Sequence, residues 1–158
     1  MGKKYSINFL SKDFYSAYNS SSYPEIERKD NRPYVVFLVQ IKNNKFALPF
    51  RTTMNHKNGY LFSKTGRATG SKSGIDFSKA VIVNDCAYIG QKALVDSYEY
   101  AELTNKYMFI IRKFEKYLDN YIDVVEGRIK NKYVIDRYKF CTLKYFHKEL
   151  GICQPVIV

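Results

Sequence analysis

The stretch Pro49-Phe-Arg-Thr-Thr-Met-Asn-His-Lys57 holds the densest chemistry in the chain. Arg51 and Lys57 are cations that can neutralise a phosphate, and Thr52 and Thr53 are short hydroxyl donors. His56 can move a proton near neutral pH. RNA brings its own nucleophile, the 2′-hydroxyl. A protein that cuts RNA therefore needs a base, an acid and cationic or hydroxyl stabilisation of the pentavalent phosphorane. Residues 51–57 hold all of these side-chain types. A basic surface loop with an idle histidine is the competing reading, and spacing alone does not separate the two.

Other chemistries find less support. There is no C-x-x-C, no H-E-x-x-H and no EF-hand loop, so neither a metal site nor a cofactor is expected. Asp119, Asp123 and Glu126 have the spacing of a solvated helix face. Gly66-Arg-Ala-Thr-Gly-Ser-Lys-Ser73 partly matches a phosphate-binding P-loop but has Ser71 where the pattern requires glycine. The residues after Ser73 read as a strand, so the anion-binding helix end is missing. A basic loop carrying Lys72 to RNA phosphates stays open. Met1-Gly2-Lys3-Lys4-Tyr5-Ser6 fits the myristoylation template, but the segment reads better as the approach to a first strand. His147, four residues after Leu143, reads as a packed ring on an apolar helix face.

The whole chain has 158 residues and a formal net charge of +11, which fits one domain over 1–158 and attraction to a polyanion. Apolar residues make up 46% and aromatics 16%, enough to drive folding. The aromatics are 15 Tyr and 11 Phe with no Trp, which leans toward stacking on unpaired RNA or DNA bases. For any single tyrosine, a place in the core is the better expectation. No apolar run is long enough to span a membrane, and no apolar signal-peptide core opens the chain. Three widely spaced cysteines, Cys86, Cys141 and Cys153, fit reduced thiols and a cytoplasmic location.

Certain elements must position these residues. Tyr5–Leu10 reads as a strand, and Ser11 caps a short helix to about Tyr18 with Phe14 and Tyr18 on its inner face. Pro24 opens a helical turn that Arg32-Pro33 ends. Tyr34–Ile41 is a central strand covered on both faces; Asn43-Asn44 is a turn, and Phe46–Leu48 returns until Pro49 stops it. Residues 51–74 form a long basic loop with one short strand at 60–62, and Ala80–Val83 is another strand. Tyr107, Ile110, Ile111, Phe114, Leu118, Tyr121, Ile122 and Val125 make a helical stripe ended by Gly127. Thr142 caps a last helix that Gly151 ends. The fold class is α+β: an antiparallel sheet with C-terminal helices packed on it.

Several segments together resemble the toxins of type III (protein–RNA) toxin–antitoxin systems, closest to the TenpIN branch. They are Tyr23-Pro-Glu-Ile26 with Lys29, Arg32-Pro-Tyr-Val35, Leu48-Pro-Phe-Arg-Thr52 with His56-Lys57, Gly74-Ile-Asp-Phe-Ser-Lys-Ala-Val81 and Cys141-Thr-Leu-Lys-Tyr-Phe-His-Lys-Glu-Leu150. The resemblance implies a strongly bent antiparallel sheet and a metal-independent endoribonuclease leaving a 2′,3′-cyclic phosphate and a 5′-hydroxyl. It implies a folded, repeat-derived antitoxin RNA that the toxin cuts and stays bound to in a closed hetero-oligomer, with cellular or phage RNA as the freed toxin's substrate. Growth arrest or abortive infection would be the result. By position, the active hydroxyl falls on Thr52, with Thr53 beside it. Lys29, Arg32, Lys79 and Tyr23 line the RNA groove. Relatives often carry a lysine where this chain has Asn55, which can position a phosphate but cannot titrate. If that lysine moves a proton elsewhere, His56 or Lys57 does so here. A non-catalytic RNA-binding module is the rival from another class; a membrane-surface protein is disfavoured because no basic amphipathic helix is left over.

Overall fold

The apolar run beginning at Tyr34 becomes β2 (Val35–Ile41) in the computed structural model, which describes residues 5–28, 34–66, 72–153 and 155. Its β-branched and aromatic side chains suit a pleated surface buried on both sides. It pairs antiparallel with β1 (Tyr5–Leu10) on one side and β3 (Asn44–Arg51) on the other. Beyond β3 lie β4 (Gly59–Leu61), β5 (Gly74–Asp76) and β6 (Val81–Ile82), while β7 (Ile89–Lys92) joins the far side of β1. Among the described residues, these seven strands make one antiparallel sheet in the order β4-β5-β3-β2-β1-β7, with β6 also on β3. The helices are α1 (Lys12–Ala17), α2 (Ser97–Val125) and α3 (Lys132–Asp136). The α+β expectation is therefore met.

The two faces of β3 are covered differently. Phe46 meets Phe114 of α2 at 5.2 Å between ring centroids, and Phe77 meets the same ring at 5.3 Å. On the opposite face Ala47 and Pro49 share a small void with Ile26, Glu27, Tyr34 and Lys79. Alternation along the strand sends Arg51 to this second face. Burial from both sides explains why β2 and β3 read as unbroken apolar runs rather than alternating ones.

Several boundaries differ from the sequence expectation. Pro49 does not stop β3, which continues to Arg51. On the side away from β2, β6 pairs with Phe46 and Ala47 while β5 pairs with Phe50 and Arg51. Pro49 falls between these two partners, so its missing N–H breaks no ladder on that side. The β2–β3 turn is Lys42-Asn43, because Ile41 pairs with Asn44 and Lys42 takes the left-handed conformation at φ 53°. Tyr23–Ile26 makes one turn, closed by the Ile26 N–H on the Tyr23 carbonyl, and no helix. Thr142 does not cap a helix. Its hydroxyl donates to the Ala80 carbonyl and, at 3.3 Å, to that of Ser78, and Thr142–Phe146 is a 3₁₀ helix with Cys141 at the cap. The strand expected after Ser73 is β5, whereas β7 and α3 were not expected. Of the predicted stripe, Ile110, Ile111, Phe114, Leu118, Tyr121 and Val125 are buried and Tyr107 and Ile122 half-buried, but α2 starts as far back as Ser97, capped by Asp96.

Candidate functional site

Asp76 organises the site, at the end of β5 and with no solvent exposure. Its Oδ2 accepts from Arg51 Nη1 at 3.0 Å and faces His56 Nε2 at 3.2 Å. Its Oδ1 accepts from the Ser78 N–H at 2.9 Å and the Ser78 hydroxyl at 2.6 Å. A buried carboxylate is tolerated only when its lone pairs are satisfied and a cation neutralises it, and this one has both. The bond from the Ser78 N–H also caps the 3₁₀ turn Phe77–Lys79, so the same side chain that anchors the site also starts that turn.

Arg51 bridges two acids, since its Nη1 also reaches Glu27 Oε1 at 3.2 Å. Burial disfavours its charge, but the Asp76 hydrogen bond and the fields of Glu27 and Asp76 outweigh that and hold its pKa above the ordinary value. Glu27 in turn accepts from the Tyr34 hydroxyl at 3.1 Å. Burial, then the Glu27 carboxylate, pushes that phenol up to about 12. Tyr34 therefore stays a neutral donor at any working pH.

The tautomer of His56 is set by its partners. The Asn58 N–H donates to Nδ1 at 3.1 Å, so Nδ1 carries no proton and Nε2 donates to Asp76. Both ring nitrogens are engaged. A substrate hydroxyl can give its proton to Nδ1 only after the bond from Asn58 opens, while Asp76 keeps the ring in place.

The loop carrying Thr52, Thr53, Asn55 and Lys57 is tied down at its middle. Met54 is buried, its N–H donates to the Lys72 carbonyl at 2.8 Å, and its thioether packs over Gly59 and Gly74. Thr52 and His56 are half-buried, and Thr53, Asn55, Lys57 and Lys72 are exposed. Anchored through Met54, the loop presents short hydroxyls and a lysine to solvent beside a fixed guanidinium and imidazole.

A second group meets on the other side of Glu27. Lys79 Nζ donates to the carbonyls of Glu25 at 3.0 Å and Phe140 at 3.2 Å. Glu25 pairs with Lys144 at 3.0 Å and accepts from the Tyr145 hydroxyl. These two hydrogen bonds, Tyr145 before Lys144, hold its carboxyl below the usual range. The Tyr23 ring packs edge-on against Tyr145, 4.9 Å between centroids. So Arg51 and His56 come together on Asp76, with Thr52, Thr53, Asn55, Lys57 and Lys72 on the adjoining loops, while Tyr23 and Lys79 lie across Glu27. Lys29 and Arg32 lie outside the described residues.

Sequence reasoning missed Asp76, Glu27, Asn58 and Met54 as parts of the site. Only Asp76 carried a readable signal, an acid two residues before Ser78, the spacing of a side-chain cap. Among the described residues no group of three or more His, Cys, Asp or Glu converges as a metal site, and no helix is long and apolar enough to cross a membrane. Compared with family models, with curated proteins and with solved structures, the chain finds no match.

Proposed function

We propose that this chain is a metal-independent endoribonuclease, the toxin of a type III protein–RNA toxin–antitoxin system acting in the cytoplasm. The observation that carries the reading is the convergence of Arg51 and His56 on fully buried Asp76, beside Thr52 and Thr53, in a chain of net charge +11. It is supported further by the meeting in space of segments that resemble those toxins: Tyr23–Ile26, 48–57, 74–81 and 141–150 all contribute to the two groups around Glu27.

The 2′-oxygen attacks the adjacent phosphorus, its proton passes to a base, and the 5′-oxygen leaves with a proton from an acid. The products are a 2′,3′-cyclic phosphate and a 5′-hydroxyl. Arg51 and Lys57 neutralise the phosphorane, and Thr52 and Thr53 donate to its oxygens. His56 exchanges the proton once its Nδ1 leaves Asn58, with Asp76 holding the ring through Nε2. Folded antitoxin RNA fills this groove and silences it, in a closed assembly; its loss frees the toxin for cellular or phage transcripts.

Incubating purified protein with RNA in the presence of EDTA tests the chemistry. Cyclic-phosphate ends are expected, weakened strongly by Thr52→Ala and by His56→Ala assayed separately. Intact RNA rejects the enzyme. Full activity in both variants rejects the site. The engagement of both His56 nitrogens favours one second reading, a single-stranded RNA-binding protein that does not cut; it predicts tight, salt-sensitive binding with the RNA recovered whole.

A further inference from the structure

Among the described residues, Arg28 lines a cleft and carries two guanidinium nitrogens that the fold leaves unpaired. Its Nη1 makes a long bond of 3.4 Å to the Tyr15 carbonyl, and its guanidinium lies 5.6 Å from the Tyr15 ring centroid. Its Nε and Nη2 are shielded from water and have no hydrogen-bond partner. Those two atoms form the side of the guanidinium that presents two parallel N–H groups, the fork that pairs with two oxygens of a phosphate or carboxylate. Leaving such a fork buried and unpaired opposes folding, so its presence calls for a ligand.

The surroundings specify the ligand's charge. Arg28 lines a cleft of about 440 Å³ with Ser20, Pro24, Glu25, Ile26, Glu27 and Lys79, within the size range of small-ligand sites. Its two acids are already spoken for: Glu25 by Lys144 and Tyr145, Glu27 by Arg51 and Tyr34. Lys79 uses two of its three protons on backbone carbonyls. What the lining leaves unpaired is the Arg28 fork, which a turn of the side chain would bring from its shielded position into the cleft, together with one ammonium proton and the Ser20 hydroxyl. Glu27 links the cleft directly to Arg51.

We propose that this cleft is an anion subsite in which Arg28, aided by Lys79, grips a non-scissile phosphodiester of the RNA whose neighbouring linkage lies at Arg51. The assignment rests on the RNA-cutting reading for its ligand, and deepens it by adding a second phosphate contact that fixes the register of the strand. Binding is measured with a single-stranded oligonucleotide methylated at every 2′-oxygen, which cannot be cut because it lacks the nucleophile. Arg28→Met is expected to weaken binding roughly tenfold or more and to reduce the log–log salt slope by about 0.7. Arg28→Lys keeps the charge but loses the fork, and is expected to recover the slope without the affinity.

Melting of the free variants serves as the control. Arg28→Met should keep or raise Tm, because it removes an unpaired buried donor; a steep fall would make Arg28 structural and overturn the assignment. Wild-type affinity in either variant also overturns it. If the wild-type protein binds the methylated strand and cuts unmodified RNA while the Arg28 variants match it in both, only this subsite fails. If the wild type does neither, the RNA reading and the subsite fail together.

Discussion

Asp76 shows how one buried carboxylate can decide the state of several functional groups. It receives Arg51, His56 and both donors of Ser78, and its side chain is not exposed to solvent. Asp76→Asn keeps the shape but replaces an acceptor oxygen by an amide NH₂ facing donors. It is expected to destabilise the fold by about 2–3 kcal/mol, since Arg51 is partly exposed and keeps Glu27. RNA cutting should fall further than the lost stability accounts for, because His56 Nε2 loses the carboxylate that holds the ring; denaturant melts and cleavage rates on the same protein separate the two. His147 makes a different residue-scale prediction. Burial holds its pKa below the usual histidine value, and the Tyr121 hydroxyl bonds its Nε2 at 2.6 Å. The unfolded chain therefore binds a proton more readily than the fold does. The stability it contributes is complete above about pH 6.5 and is lost as pH falls through its lowered pKa. His147→Gln should flatten the decline of Tm between roughly pH 7 and 5; an unchanged slope there contradicts it.

At the scale of elements, the site depends on how closely β4 and β5 approach. A Cβ on Gly74 would stand 2.3 Å from the Tyr60 carbonyl oxygen and 2.9 Å from the Met54 methyl. One on Gly59 would stand 2.2 Å from the Ile75 carbonyl oxygen. Neither backbone oxygen can move without breaking the ladder. Gly74→Ala should destabilise by about 2–3 kcal/mol. Because Met54 anchors the loop over the same glycines, RNA cutting should fall along with the denaturation midpoint. This pairing also explains what the sequence did and did not reveal. Strands β1 and β2, α1 with its Ser11 cap, and the C-terminal half of α2 were legible because long periodic or apolar runs carry their own signal. Strand β7 is four residues long, too short for any alternation to stand out. Pro49 misled because a proline's effect depends on which neighbours β3 has at that position, which is a tertiary fact. The cluster of Arg51 and His56 was legible as chemistry, whereas Asp76 and Glu27, 20 and 29 positions from His56, are joined to it only by folding.

For the whole molecule, a net charge of +11 says less than where each cation stands. Arg128 is largely exposed, yet Asp123 at 2.7 Å and Glu126 at 3.0 Å already neutralise it. Lys57 is also exposed, on the loop between Thr53 and Asn58, next to His56. Removing either lowers the formal charge by the same single unit. If attraction to RNA were a matter of total charge, Lys57→Ala and Arg128→Ala would weaken binding alike. If the strand runs along the Asp76 site, only Lys57 releases a counterion when RNA binds. Lys57→Ala should then lower affinity and cut the log–log salt slope by about 0.7, with Arg128→Ala leaving that slope as in the wild type. Titrating both variants with one RNA across several salt concentrations decides between the two. Equal slopes would mean that RNA is held by the molecule's overall field, and that the face built on β3 and β5 is not where the strand lies.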